Sequence, residues 1–181
     1  MASIVPSEIL YRYSTTAGAA GNTTASTPAG SLGKYASTSV WAGGSANDLF
    51  DDITGSENAA GAVDYRCVFV HNSNTANAFA DAVAYISAEV AGGATIAIGV
   101  DPTAASALGS STAQALTIAD ETTAPAGVAF SSPTTAAAGI ALGTIGVGQV
   151  RAIWVCRTAT NSAALSGDGF TLSVQGDTGA L

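Results

Sequence analysis

Basic residues are scarce in this chain. Lys34 is the only lysine, and with Arg12, Arg66, Arg151 and Arg157 it faces 13 acidic side chains over 181 residues, for a net charge of −8 and a pI near 4.1. Polyanions are bound by lysine and arginine displacing counterions, and these five residues form no cluster in the sequence, so neither nucleic acid nor an anionic membrane is an expected partner. Histidine is rarer still. His71 is the single one, so any Ser-His-Asp arrangement has to run through it; it lies at the end of a strand, followed by Asn72, Ser73 and Asn74, and a polar loop histidine is the plainer reading than a catalytic one. GxSxG, P-loop, HExxH and GxGxxG motifs are missing, and the glycines of GTIGVG at Gly143 to Gly148 have the wrong spacing. Cys67 and Cys156 have neither CxxC spacing nor a neighbouring histidine, which excludes an ordinary zinc site. Two buried thiols are the plain reading. A disulfide between them would close a long loop, worth about 4 to 5 kcal/mol in the chain-entropy picture, and would need an oxidising compartment. Mean hydropathy is +0.36, yet no apolar run approaches the roughly 18 to 20 residues of a membrane span, and the N-terminus lacks a basic region followed by an apolar one. The expectation is a soluble chain without an export signal, in which the Asn22 sequon has no meaning.

What is present is a β pattern. In Asp64 to Asn72 (DYRCVFVHN), Tyr65, Cys67 and Phe69 alternate with Arg66, Val68 and Val70. In Val147 to Thr158 (VGQVRAIWVCRT), Ala152, Trp154 and Cys156 alternate with Ile153 and Val155. Both read as central strands, with Phe69 and Trp154 buried. A chain of this length can bury roughly 70% of its unfolded surface and needs no staples. Ala94 to Asp101 (ATIAIGVD) alternates cleanly until Pro102; Gln114 to Ala119 (QALTIA) and Gly169 to Gly176 (GFTLSVQG) read as further short strands. Asn77 to Val90 is ambiguous: its alanines and the spacing of Phe79, Val83, Ile86 and Val90 suit a helix, whereas Phe79, Val83 and Tyr85 share a strand face, and its place between two strands favours strand. About seven or eight short strands joined by Gly, Pro, Asn and Asp turns predict an all-β fold, a β-sandwich of Ig-like or jelly-roll-like kind, over residues 48–181.

Residues 1–47 read differently. Ile9, Tyr11 and Tyr13 alternate with Leu10 and Arg12, which suits a strand or an extended arm; from Ser14 to Gly33 only Leu32 is large and apolar. Such a segment has too little surface to bury to offset its ordering entropy. The expectation is an extended N-terminal arm and loop region held by another protein chain, with Ile9, Tyr11, Tyr13, Leu32, Tyr35 and Trp41 as its assembly contacts. Asp48, Asp51, Asp52, Glu57 and Asp64 then crowd together, in a spacing that matches no calcium loop, so a solvated acidic loop is expected and no metal. The carboxylate pairs Asp51-Asp52 and Asp120-Glu121 suggest glycosidase chemistry only if they face each other across a cleft. No catalytic residue and no cofactor is expected.

The succession LFDDITGSENAAG, DYRCVFVHN, TIAIGVDP, IADETTAPAGVAFSSP, QVRAIWVCRT and DGFTLSVQGDT resembles a family of tailed-bacteriophage virion proteins encoded among head genes, over about Asp48 to Thr178. Two features depart from the family pattern: Cys156 stands near a position where its members carry arginine, and Asn77 to Val90 is richer in alanine. The resemblance implies a β-sandwich structural protein without enzymatic activity, located in the virion, made in the host cytoplasm. Its implied partners are the major capsid protein and copies of itself, a homo-oligomer with a trimer among the options. Packaged DNA repels an acidic protein, so the expected role is decoration or cementing of the capsid exterior. The alternatives are a neck, tail or fibre component, or a host-glycan-binding module stacking sugars on Trp41, Tyr11, Tyr13 and Tyr35.

Overall fold

The structure is a computed structural model and describes residues 3–18 and 23–179. The Asn22 sequon, and that part of the expected arm, lie outside the described residues.

Among those residues nine strands form two antiparallel sheets, an all-β, sandwich-like fold. The strands are β1 (Ile9–Thr15), β2 (Tyr35–Val40), β3 (Val63–Asn72), β4 (Ala78–Glu89), β5 (Thr95–Val100), β6 (Ser106–Ala107), β7 (Ile140–Ile145), β8 (Gln149–Thr158) and β9 (Phe170–Gly179), with one short helix, α1 (Gly55–Ala60). The larger sheet runs β2-β1-β3-β8-β5, with β6 also paired to β8; the smaller runs β7-β4-β9. The two runs singled out by their alternation are β3 and β8. They lie side by side at the centre, Cys67 opposite Trp154 and Phe69 opposite Ala152.

Between the sheets, Val68, Val70, Ile153, Val155, Ile96 and Ile98 meet Phe79, Ala82, Ala84, Ile86, Leu142, Ile145 and Leu172. The opposite faces of β3 and β8 are buried as well: Cys67, Phe69, Ala152 and Trp154 lie beneath Leu108, Ala115, Leu116, Ile118, Val128 and Phe130 of the long connection before β7. Burial on both faces is why these strands read as nearly unbroken apolar runs. Asn72, fully buried, ties the two sheets at one end, its Nδ2 donating to the carbonyls of Asn77 at 2.9 Å and Ile145 at 3.0 Å.

The structure resolves the ambiguity of Asn77 to Val90 as strand β4, twelve residues long and bulged at two places against β9. Its alanines are the buried small residues that allow close sheet packing: Ala82 is 1% and Ala84 0% exposed. Gln114 to Ala119 is not a strand. It is held across the outer face by the Gln114 side chain, whose Oε1 accepts from the Ala36 N–H at 3.2 Å while Nε2 donates to the Ala107 carbonyl at 3.0 Å. Gly33 (φ +93°) is what allows that approach, since a Cβ there would stand 1.9 Å from the Leu116 oxygen.

The largest correction concerns residues 1–47. They do not form an arm apart from the sandwich. β1 lies between β2 and β3, its residues Ile9 to Tyr13 paired with Val68 to Asn72. The low-hydrophobicity stretch behind β1 is fixed by backbone pairing and by short polar contacts, such as Gly33 N–H to Ser14 Oγ at 2.9 Å, and not by apolar burial of its own.

Candidate functional site

The chain leaves β2 at Trp41 and crosses one end of the sandwich in residues 42–54 before α1; the connection from β8 to β9 returns over the same end. Thr54 starts α1 with a capping box, its Oγ1 accepting from the Glu57 N–H while Glu57 Oε2 accepts from the Thr54 N–H at 2.7 Å, and Gly61 ends it in the left-handed region. The two connections wall a cleft of about 880 Å³, lined by buried Trp41, Leu49 and Phe50, half-buried Phe170, and the carboxylates of Asp48, Asp51, Asp52 and Asp168. Trp41 meets Tyr11 edge-on at 5.8 Å between ring centres and Phe170 at 6.2 Å.

One cation is built into the wall. Asp64 on β3 and Arg157 on β8 are direct cross-strand partners. The Arg157 guanidinium donates through Nε (3.1 Å) and Nη2 (2.7 Å) to Asp64 Oδ2, through Nη1 to the Asp51 carbonyl, and lies 4.7 Å from the Phe50 ring centre. Arg66 lies against the same ring at 5.7 Å and donates to Glu121. Both arginines are therefore pinned by carboxylates and π-faces, and neither offers a free charge to a ligand.

The five acidic residues crowded in the sequence separate into distinct roles. Asp48 and Asp51 fasten the loop, Asp52 is exposed at the cleft, Glu57 caps α1 and Asp64 holds Arg157. No group of three or more His, Cys, Asp or Glu among the described residues is placed to hold a metal ion. Asp120 and Glu121 do not line the cleft with Asp51 and Asp52; Asp120 closes a turn onto the hydroxyls of Thr122 and Thr123. With four carboxylates and a fully engaged guanidinium, the cleft repels anions and suits neutral hydroxyl-rich or cationic groups.

His71 is not a loop residue. It sits in β3, is 5% exposed, and its Nδ1 accepts from Arg12 Nε at 3.2 Å. Burial, reinforced by the Arg12 charge, lowers its pKa to about 4, so the ring is neutral near pH 7. Cys67 and Cys156 are free and buried, and burial pushes both thiols up, away from a reactive thiolate.

The six expected assembly contacts are all engaged inside the chain. Ile9, Tyr11, Tyr13 and Trp41 pack on the core between the sheets, and Leu32 packs on the outer one. Tyr35 is buried, its hydroxyl donating to the Ser111 carbonyl at 3.3 Å. Tyr13 donates to the Asp48 carbonyl. The Tyr11 hydroxyl donates to the Leu172 carbonyl at 3.2 Å, and burial pushes its pKa up to about 12. Of the six, only Trp41 lines the cleft. Arg157, Asp168 and Phe170 were not singled out by sequence; the one available signal was an opposite charge near the ends of two strands already read as central.

No protein-family model, curated protein or solved structure matches this chain.

Proposed function

We propose that this protein is a non-enzymatic structural component of a tailed-phage virion, bound to the outside of the capsid shell as a decoration or cement protein. The resemblance in sequence supports this reading, and the segments that carry it include β3, β5, β8 and β9, the framework of the fold.

The observation that carries the placement is the distribution of charge. Asp51, Asp52, Glu57, Asp81, Glu89, Asp120, Asp168 and Asp177 are all exposed, whereas none of the five basic side chains is: Arg66 and Arg157 are buried, and Arg12, Lys34 and Arg151 are half-buried. The surface is more one-sided than the composition, and such a field is repelled by packaged DNA. With Arg66 and Arg157 paired to carboxylates and no basic side chain exposed, the protein would hold a lattice through apolar surface and backbone hydrogen bonds. Binding the assembled shell and not its separate subunits stabilises the shell by mass action, so each contact can be weak.

Such binding resists screening. The protein is expected to stay on particles washed in molar salt, and particles lacking it are expected to release DNA at lower temperature or under gentler osmotic shock. Loss in moderate salt, or depleted particles as robust as complete ones, would overturn the proposal. In that event the cleft favours the second reading, a module for a neutral glycan, tested by chemical-shift changes at Trp41 and Phe170 on titration with oligosaccharides.

A further inference from the structure

Edges of β-sheets expose unpaired N–H and C=O groups, and soluble proteins cover or charge them. Among the described residues this chain covers two of its four and shields part of a third. On β2, the Ala36 N–H donates to Gln114 Oε1 and the Thr38 N–H to the Thr24 carbonyl at 3.0 Å. On β5, Ile98 exchanges both backbone bonds with Ser131, at 2.8 and 3.0 Å, and Ser132 Oγ donates to the Ile96 carbonyl at 2.6 Å. On β9, the Tyr11 hydroxyl donates to the Leu172 carbonyl, and Asp177 adds an exposed charge. The fourth edge is β7. Its inner side pairs with β4; on its outer side the described residues provide no backbone partner, and only the terminal Ile145 carbonyl is taken, by Asn72 Nδ2.

The chemistry around β7 is also unlike the rest of the molecule. β7 and the sequence around it, between Glu121 and Arg151, carry no charge in a chain of net charge −8; the charge beside it is Asp81, exposed in the bulge of β4 that faces Gly143. The exposed positions of β7 are small, Ala141, Gly143 and Thr144, and a side chain at Gly143 would meet nothing within 4 Å. Of the usual protections the strand has only the bulge against β4: it holds no lysine, no proline and no inward charge.

We propose that β7 is a self-association edge, pairing antiparallel with β7 of a second copy across a two-fold axis. A second copy fits better than a partner of other chemistry for two reasons. A charged partner finds only the exposed Asp81 of the neighbouring strand to pair with, whereas two acidic molecules avoid each other least along a strand that itself carries no charge. A two-fold axis also makes the patch its own complement. The join would give one continuous sheet, β9-β4-β7 followed by the same strands of the copy in reverse. Gly143, at φ +73°, lies at a bulge against β4; this shortens the paired run, so the association is reversible and concentration-dependent. Because the remaining surfaces repel, salt strengthens it. The inference does not rest on the virion role, and either can fail without the other.

The test is sedimentation velocity on the full chain from micromolar to millimolar concentration, with and without added salt, alongside hydrogen exchange read at residues 140–145. The expected result is a mass rising from the 17.6 kDa monomer toward twice that value, more readily in salt, with exchange at 140–145 slowing as concentration rises while that of 95–100 does not change. The double variant Ala141→Glu, Thr144→Glu alters two exposed side chains, places like charges opposite one another across the axis, and should sediment as a monomer with an unchanged melting temperature. A wild-type protein that stays monomeric throughout, a dimer whose 140–145 amides exchange at the monomer rate, or a folded double variant that dimerises as before, each overturns the proposal.

Discussion

Trp154 and His71 show how single residues set the character of this protein. Trp154 is fully buried, and its indole Nε1 donates at 2.8 Å to Asp101, a carboxylate with no exposed surface that also accepts from the N–H groups of Leu116 (2.9 Å) and Thr103 (2.8 Å). The tryptophan thereby links the central sheet to the connection that covers its outer face. Trp154→Ala should lower stability by about 3 to 5 kcal/mol through lost burial and an unfilled cavity. Trp154→Phe, which keeps much of the volume and removes one donor from Asp101, should cost about 1 to 3 kcal/mol. Urea unfolding measures both, and a Trp154→Ala protein as stable as wild type would refute the two-strand core. His71 makes stability depend on pH. Its folded pKa, about 4, lies below the ordinary 6.5, so the unfolded chain takes up the proton first. Stability from this group is complete above pH 6.5 and is lost as pH falls toward 4. Unfolding measured between pH 6.5 and 5 should show that decline in wild type and a flatter profile in His71→Gln; identical slopes would contradict it.

At the scale of elements, β1 decides how the N-terminal third is understood. It pairs on both sides, with β2 and β3, and its Tyr11 hydroxyl donates to β9 in the other sheet. Deleting residues 1–33 should therefore strip β3 of a neighbour, open the core and abolish cooperative unfolding by circular dichroism; a truncated chain that melts like the intact one would show that the arm is dispensable. Alternation made β3, β5, β8 and β9 legible because their β-branched and aromatic residues repeat with period two. The described residues of 14–33 escape the pattern because burial is a poor guide where hydrogen bonds do the holding, from backbone to backbone between Thr38 and Thr24 and from the Gly33 N–H to the Ser14 hydroxyl. The cover over Trp154 was hidden for a related reason: residues 108–130 offer a few apolar side chains among Ala, Ser, Thr and Gly, and a buried glutamine fixes them. His71 lies in the strand its alternation predicts, but its burial was not legible because Asn72 and Asn74 resemble loop residues, although both are buried and hydrogen-bonded. The cleft could not be seen at all, since its lining comes from separate stretches that meet only after the sheets have formed.

The whole molecule presents an acidic exterior with Arg66 and Arg157 paired to carboxylates, two sheet edges covered, a third partly shielded, and a fourth, the charge-free strand β7, left open. The acidic exterior and the open edge are the features on which the proposed contacts rest, and the proposed place for contact with a shell is the outer surface of a phage head. Copy number tests this most directly. Quantitative mass spectrometry of purified particles should find the protein in many copies, in fixed proportion to the major shell protein; a handful per particle, or none, would contradict a role in decorating the shell.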